Sequence, residues 1–248
     1  LVNMGGFLAL NDDALALRRH RRDQPDARVR GGEVSREHAP RATAAGAVVI
    51  DNTSEFRYQD DIPLVVSEVN PDAAKNRPRG IIANPNCSTI QMLVALKPLH
   101  DAFGMVRVVV STYQAISGAG QAGVDQLMSE LKGRVPQNRK FSRPAAFNTL
   151  FHTFLEGTPD TDEEVKMIQE TRKILGIPRL AICATCVRIP TTAAHGESVN
   201  IEFESRVTPH QARRVLGKAA GITVIDDPGA DAYPSVRDGG GQDSVLVG

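Results

Sequence analysis

Cys87 sits in Asn84-Pro85-Asn86-Cys87-Ser88-Thr89, and its neighbours suit a nucleophile. A short β-branched run, Gly80-Ile81-Ile82-Ala83, precedes this segment. After it, Met92, Leu96, Leu99 and Phe103 recur at i, i+4, i+7 and i+11, which predicts a helix from Cys87 to about Ala102. The sulfur is thereby expected at a strand-to-helix junction. Free backbone N–H groups and the positive end of the helix dipole favour a thiolate there and would depress its pKa. Asn86 and Ser88 supply small polar groups able to cap the helix or to donate to an oxyanion. A lone cysteine without such neighbours is more often one more small buried apolar residue.

Three other groups of residues invite a chemical reading. Cys183-Ala184-Thr185-Cys186 has C-x-x-C spacing, but it falls inside a predicted strand, where residues three apart point to opposite faces. No second Cys or His pair has ligand spacing, so no metal site is expected. Glu170 and Lys173 lie three apart on a predicted helix and share a face, which suits either a pocket wall or a solvated ion pair. The stretch Arg18 to Arg28 is basic but broken by Asp23, Pro25 and Asp26. It reads as a solvated or disordered terminal segment rather than a nucleic-acid arm.

The elements that must position these groups follow an α/β rhythm. Strands are expected at Gly46–Ile50, Pro63–Val66, Gly80–Ala83, Val106–Thr112, Leu180–Ile189 and Ser198–Ser205, the last with Val199, Ile201 and Phe203 in alternation. Val124, Leu127 and Leu131 mark a helix after the Gly118-Ala119-Gly120 turn. A capping box, Thr161-x-x-Glu164, opens the helix that carries Glu170, and Gly176 and Pro178 stop it. Thr208-Pro209 opens another helix with proline at its first position.

The 248 residues are 41% apolar, enough to bury a substantial core. Twenty-nine basic residues balance 29 acidic ones, so no overall field exists to hold a polyanion, and a small-molecule partner is expected rather than nucleic acid. No stretch approaches a membrane span or a signal-peptide core, so no membrane partner is expected and the cytoplasm is the default location. Three cysteines argue for reduced thiols.

Asn84 to Thr89, together with Ser111-Thr112-Tyr113-Gln114-Ala115-Ile116-Ser117-Gly118-Ala119-Gly120, resembles the active-site signature of the aspartate-β-semialdehyde dehydrogenases. Asp51 to Arg57, Glu68-Val69-Asn70, Glu170 to Lys173, Cys186 to Pro190 and His195 to Asn200 resemble further family segments in the same order, so the similarity runs from about Gly31 to Gly248. The resemblance implies NADP-dependent reductive dephosphorylation of β-aspartyl phosphate to aspartate-β-semialdehyde, a step toward lysine, threonine and methionine. Cys87 would carry a thioacyl intermediate and His195 would shuttle protons, with Gln114 orienting the acyl group and Asn86 completing the catalytic set beside the sulfur. Arg188 would grip the substrate carboxylate and Glu170 its ammonium, while Lys173 and Arg57 would hold phosphate. Ser117, Gly118, Ala119 and Gly120 would approach the cofactor. A homodimer formed through the catalytic domain is also implied. The N-acetyl-γ-glutamyl-phosphate reductases share the architecture and the cysteine chemistry and stand second. A non-catalytic dimerisation or binding module of the same fold is the alternative from another class.

The resemblance implies a truncated Rossmann-like dinucleotide-binding domain followed by an α+β catalytic and dimerisation domain with a mixed sheet. The expected division is an unmatched segment 1–30, a nucleotide-domain remnant 31–86, a catalytic and dimerisation domain 87–238, and 239–248 as the start of a return to the nucleotide domain. The family's glycine-rich phosphate loop and C-terminal helix have no match here, so weak NADP binding and impaired reduction are expected.

Overall fold

A computed structural model of the chain describes residues 7–9, 31–136 and 138–248. The apolar patch Leu1 to Leu17, apart from the backbone of 7–9, and the Arg-rich stretch lie outside the described residues. A first sheet is ordered β1 (Phe7–Ala9), β2 (Val49–Asp51), β3 (Ile81–Ala83), with β2 and β3 parallel and β1 antiparallel to β2. Helix α1 (Gly31–Ala44) packs on β2 and buries Ser35, Ala39 and Ala42. That stripe has helical spacing but is built of small residues and is followed by Pro40 within the helix, so no apolar period announces it. Ser35 Oγ donates to Asp51 Oδ1 at 2.5 Å between two fully buried side chains, fixing helix to strand.

The strand expected at Pro63–Val66 reduces to a single parallel bridge between Leu64 and Ala83. The Val65 N–H and the Pro63 carbonyl still bond Ala83, at 3.1 and 2.9 Å, while the Asn70 side chain accepts from the Val66 N–H at 2.8 Å and donates to the Leu64 carbonyl at 2.9 Å on the other edge. A turn in which the Val66 carbonyl accepts from Val69 and Asn70 ends the run.

The second sheet is ordered β5 (Leu150–Phe151), β6 (Ala181–Ile189), β4 (Met105–Ala115), β7 (His195–Phe203). β4 runs parallel to β6 and antiparallel to β7, and β5 is antiparallel to β6. Helix α2 (Cys87–Phe103) and helix α4 (Asp162–Leu175) join it in one core, where Met92, Leu93 and Leu96 of α2 and Met167 and Ile174 of α4 meet Val108, Val110 and Cys186. Each large apolar side chain so buried contributes about 1.5–3 kcal/mol. Along β4, Val108, Val110, Thr112 and Gln114 are all buried, while Val106 and Tyr113 are exposed, as is Val199 of β7. A register shift between Met105 and Arg107 accompanies the break in alternation at the start of β4.

Helix α3 (Gln121–Leu131) follows the turn after β4, and α4 carries the expected capping box between Thr161 and Glu164, ending at Gly176 with φ 69°. Helix α5 (Pro209–Leu216) leads to a small parallel pair, β8 (Ile222–Val224) with β9 (Val245–Val247), so the last strand pairs with β8. Among the described residues no helix is long and apolar enough to cross a membrane.

Candidate active site

Cys87 is the first residue of α2, and Asn86 is its cap. Asn86 Oδ1 accepts from the N–H of Ser88 at 3.0 Å and of Thr89 at 3.3 Å, which fixes the helix start and leaves the thiol at the surface. His195 opens β7 and stands opposite Gln114 of β4 in register. Its Nε2 lies 3.2 Å from Cys87 Sγ across 108 residues of sequence. Nδ1 lies 2.7 Å from the Ala194 carbonyl and 3.0 Å from the Ala115 N–H. A proton on Nδ1 shared with Ala194 leaves Nε2 free to accept from the thiol, whereas the Ala115 contact suits the opposite tautomer.

The expected depression of the thiol pKa is not what the site produces. Although the cysteine surface is open, the surrounding protein pushes the thiol above its ordinary value, and the Glu163 carboxylate adds to this. The Ser88 N–H and Arg188 only partly oppose them. Burial also holds His195 below the ordinary imidazole value, against its bond to Ala194. The pair therefore rests as thiol and neutral imidazole, with His195 placed to take the sulfur's proton when an electrophile arrives.

Glu163, in the first turn of α4, organises the surroundings. Its Oε1 accepts from Asn86 Nδ2 at 2.8 Å and Gln114 Nε2 at 3.1 Å, and its Oε2 from Lys166 at 3.2 Å. Burial works against the charge, but Lys166 and these amide donors prevail and hold the carboxyl at about 2. Gln114 Nε2 also reaches Thr112 Oγ1 at 3.2 Å, leaving its buried Oε1 without a partner. Arg188 Nη1 donates to the Ala115 carbonyl at 3.0 Å. A Cβ on residue 118 would lie 2.8 Å from that same nitrogen, so Gly118 is what lets the guanidinium lie across the turn. Cys87, His195, Gln114, Asn86 and Arg188 are thus gathered around one carboxylate that the sequence reading did not single out.

Glu170 and Lys173 each have partners within the protein. Glu170 is fully buried, with Oε2 accepting the Asn86 N–H at 2.6 Å and Oε1 paired with Arg57 at 3.0 Å. It supports the backbone beside the nucleophile. The Lys173 ammonium donates to the carbonyls of Arg57, Gln59 and Ile62 at 2.9, 2.7 and 3.2 Å, three bonds for three hydrogens. Arg57 is itself buried, with Nε bonded to the Thr53 carbonyl and Nη2 to the Asn52 carbonyl. The residues missed are Glu163 and Lys166. Their signal was present, since they repeat the glutamate–lysine spacing two turns nearer the capped end of the same helix.

Ser117, Gly118 and Gly120 form an exposed turn over Ile116–Ala119, which leads into α3 without a side-chain cap. Cys186 is buried against the core and Cys183 faces the exposed side of β6, so the C-x-x-C pair does not converge.

Residues 29–77 match the semialdehyde dehydrogenase NAD binding domain family, and residues 96–248 match the semialdehyde dehydrogenase dimerisation domain family. An aspartate-semialdehyde dehydrogenase from Aquifex aeolicus is 48% identical over 227 residues, a match that takes in 88% of this chain and 66% of the relative. The crystal structure of aspartate semialdehyde dehydrogenase II complexed with ASA from Vibrio cholerae is similar with TM-score 0.81 at 47% identity, over 88% of this chain and 66% of that one. A Candida albicans aspartate semialdehyde dehydrogenase with NADP is similar with TM-score 0.63 at 26% identity, over 84% and 62%. The chain spans 66% of the length of the Aquifex relative.

Proposed function

Because the chain belongs to the aspartate-semialdehyde dehydrogenase family, we propose that it serves the reductive dephosphorylation of β-aspartyl phosphate to aspartate-β-semialdehyde through a thioester on Cys87. The observation that carries this reading is the 3.2 Å approach of His195 Nε2 to Cys87 Sγ beside a carboxylate and a guanidinium. His195 takes the thiol proton, the sulfur adds to the acyl carbonyl, and phosphate leaves with the bonding electrons of the C–O bond. Asn86 and Gln114 hold the acyl group beside the sulfur. When the thioester is reduced, the sulfur departs with its electrons and recovers a proton from His195, so the pair ends as it began.

Arg188 meets the substrate carboxylate with its planar fork, and Glu163, rather than Glu170, meets the ammonium. Lys166 is the cation assigned to phosphate, since Arg57 is buried and paired with Glu170. A nicotinamide cofactor, when bound, supplies the hydride. The exposed turn Ser117, Gly118, Ala119 and Gly120 would hold its ring, since Gly120 has open space around it and Arg188 lies beneath Gly118. NADP is assigned by analogy with the Candida structure. We assign residues 31–86 to the nucleotide side and 87–238 to catalysis and dimerisation. Homodimer formation is assigned to the outer face of β4 and β7, where Val106, Tyr113 and Val199 are exposed.

The test is mass spectrometry of the protein incubated with aspartate-β-semialdehyde and NADP without phosphate. The reading expects an aspartyl adduct on Cys87 that added phosphate releases and that Cys87→Ser lacks. Formation of NADPH with no adduct on Cys87, or no reaction at all, would overturn it.

A further inference from the structure

The Cys87–His195 contact joins two elements with little else to fix their spacing at that point, the start of α2 and the start of β7. One side chain bridges them directly. Gln91 lies one turn after Cys87 on α2, and its Nε2 donates to the His195 carbonyl at 3.3 Å. Glu197 stands two residues after His195 on β7, opposite Thr112 of β4 in register, and its carboxyl is held by the Gln91 side chain. The Gln91 side chain thus meets two residues of β7, one on each side of Gly196, bonding the carbonyl of the first and lying against the carboxyl of the second. Glu197 Oε1 is buried without a hydrogen-bond partner, and the side chain that acts on the carboxyl is this amide.

We infer that Gln91 is a positioning residue for the proton transfer: it clamps the helix of the nucleophile to the strand of the imidazole, and Glu197 holds the clamp in orientation. The inference rests on the Cys87–His195 pairing proposed above. The clamp acts on the His195 main chain, so it touches no substrate atom. Its consequence is geometric, because the Sγ–Nε2 separation depends on how the starts of these two elements are set relative to one another. A misplacement of ~1 Å in such a pair costs up to ~100-fold in rate. The buried carboxyl also suits a neutral partner. Burial, against the Gln91 bond, raises Glu197 to about 8, so it is protonated at neutral pH and can orient the amide without placing a second anion near Glu163.

The experiment is the pH profile of Cys87 alkylation by iodoacetamide, followed by mass spectrometry on the intact chain. His195→Asn reports the pairing itself, since loss of the base moves the profile toward that of an unassisted thiol. Gln91→Met and Glu197→Leu are expected to move it in the same direction, slowing alkylation at neutral pH on the order of tenfold. The double variant should be no slower than the slower single one. Glu197→Gln, which keeps a neutral acceptor, should restore the wild-type profile and guards against a folding defect in Glu197→Leu. If His195→Asn leaves the profile unchanged, the pairing fails and the clamp with it. If His195→Asn shifts the profile but Gln91→Met does not, or if Glu197→Gln behaves as Glu197→Leu, the pairing stands and the clamp is overturned.

Discussion

Helix α4 carries the same glutamate–lysine spacing twice, and the two copies lead different lives. Glu163, beside the capped end, meets Asn86 and Gln114, and Lys166 backs it with an ion pair. Glu170 and Lys173, two turns on, are consumed by the scaffold. One holds the Asn86 backbone and Arg57, and the other staples the loop carbonyls of Arg57, Gln59 and Ile62. Spacing on a helix fixes which residues share a face, but what that face meets depends on chain segments a hundred residues away. The first pair keeps a carboxylate charged for chemistry, and the second keeps the floor under it from moving.

Removing the structural carboxylate should have the largest effect on stability. Glu170→Ala leaves Arg57 buried and unpaired, and is expected to cost about 3–5 kcal/mol in denaturant unfolding. A loss under about 1 kcal/mol would mean that the second pair is not the scaffold described here. Glu163→Gln should act on the other axis, raising KM for the semialdehyde by about 2 kcal/mol or more in binding with a smaller change in unfolding midpoint than Glu170→Ala. An unchanged KM would remove Glu163 from the substrate site.

Lys173→Met should cost about 1–3 kcal/mol of stability by orphaning loop carbonyls, with kcat/KM close to wild type. A selective rise in KM would return Lys173 to the phosphate role. The smallest effect concerns pH. Glu163 is held at about 2 against an ordinary 4.5, so its contribution to stability is present above 4.5 and is lost as pH falls toward 2. Glu163→Gln should flatten that part of the acid unfolding curve, and an identical curve would contradict the assigned charge.

Much of the framework could be read from residue types. The strand-to-helix junction at Cys87, the capping box at Thr161 and the stop at Gly176 are local patterns with local causes, and the structure shows all three. Helix α1 was missed because Ser35, Ala39 and Ala42 make a contact stripe with no large apolar residue in it. The Pro63–Val66 strand shrinks to one bridge because the chain turns at Val66, whose carbonyl accepts from Val69 and Asn70, a local turn that hydrophobic pattern does not register. At the site, the meeting of Cys87 with His195 depends on the β4–β7 register, a long-range fact that the family resemblance could suggest and periodicity could not. The direction of the thiol's pKa depends on the mass of protein and the acid around it, neither of which is visible in a helix start.

A sulfur that rests protonated has a further chemical consequence. Peroxide and disulfides react with thiolates far faster than with thiols, and oxidation beyond the sulfenic state is not readily reversed. An open cysteine that becomes anionic only as its proton passes to a neighbouring ring is shielded from such damage between turnovers while still facing solvent.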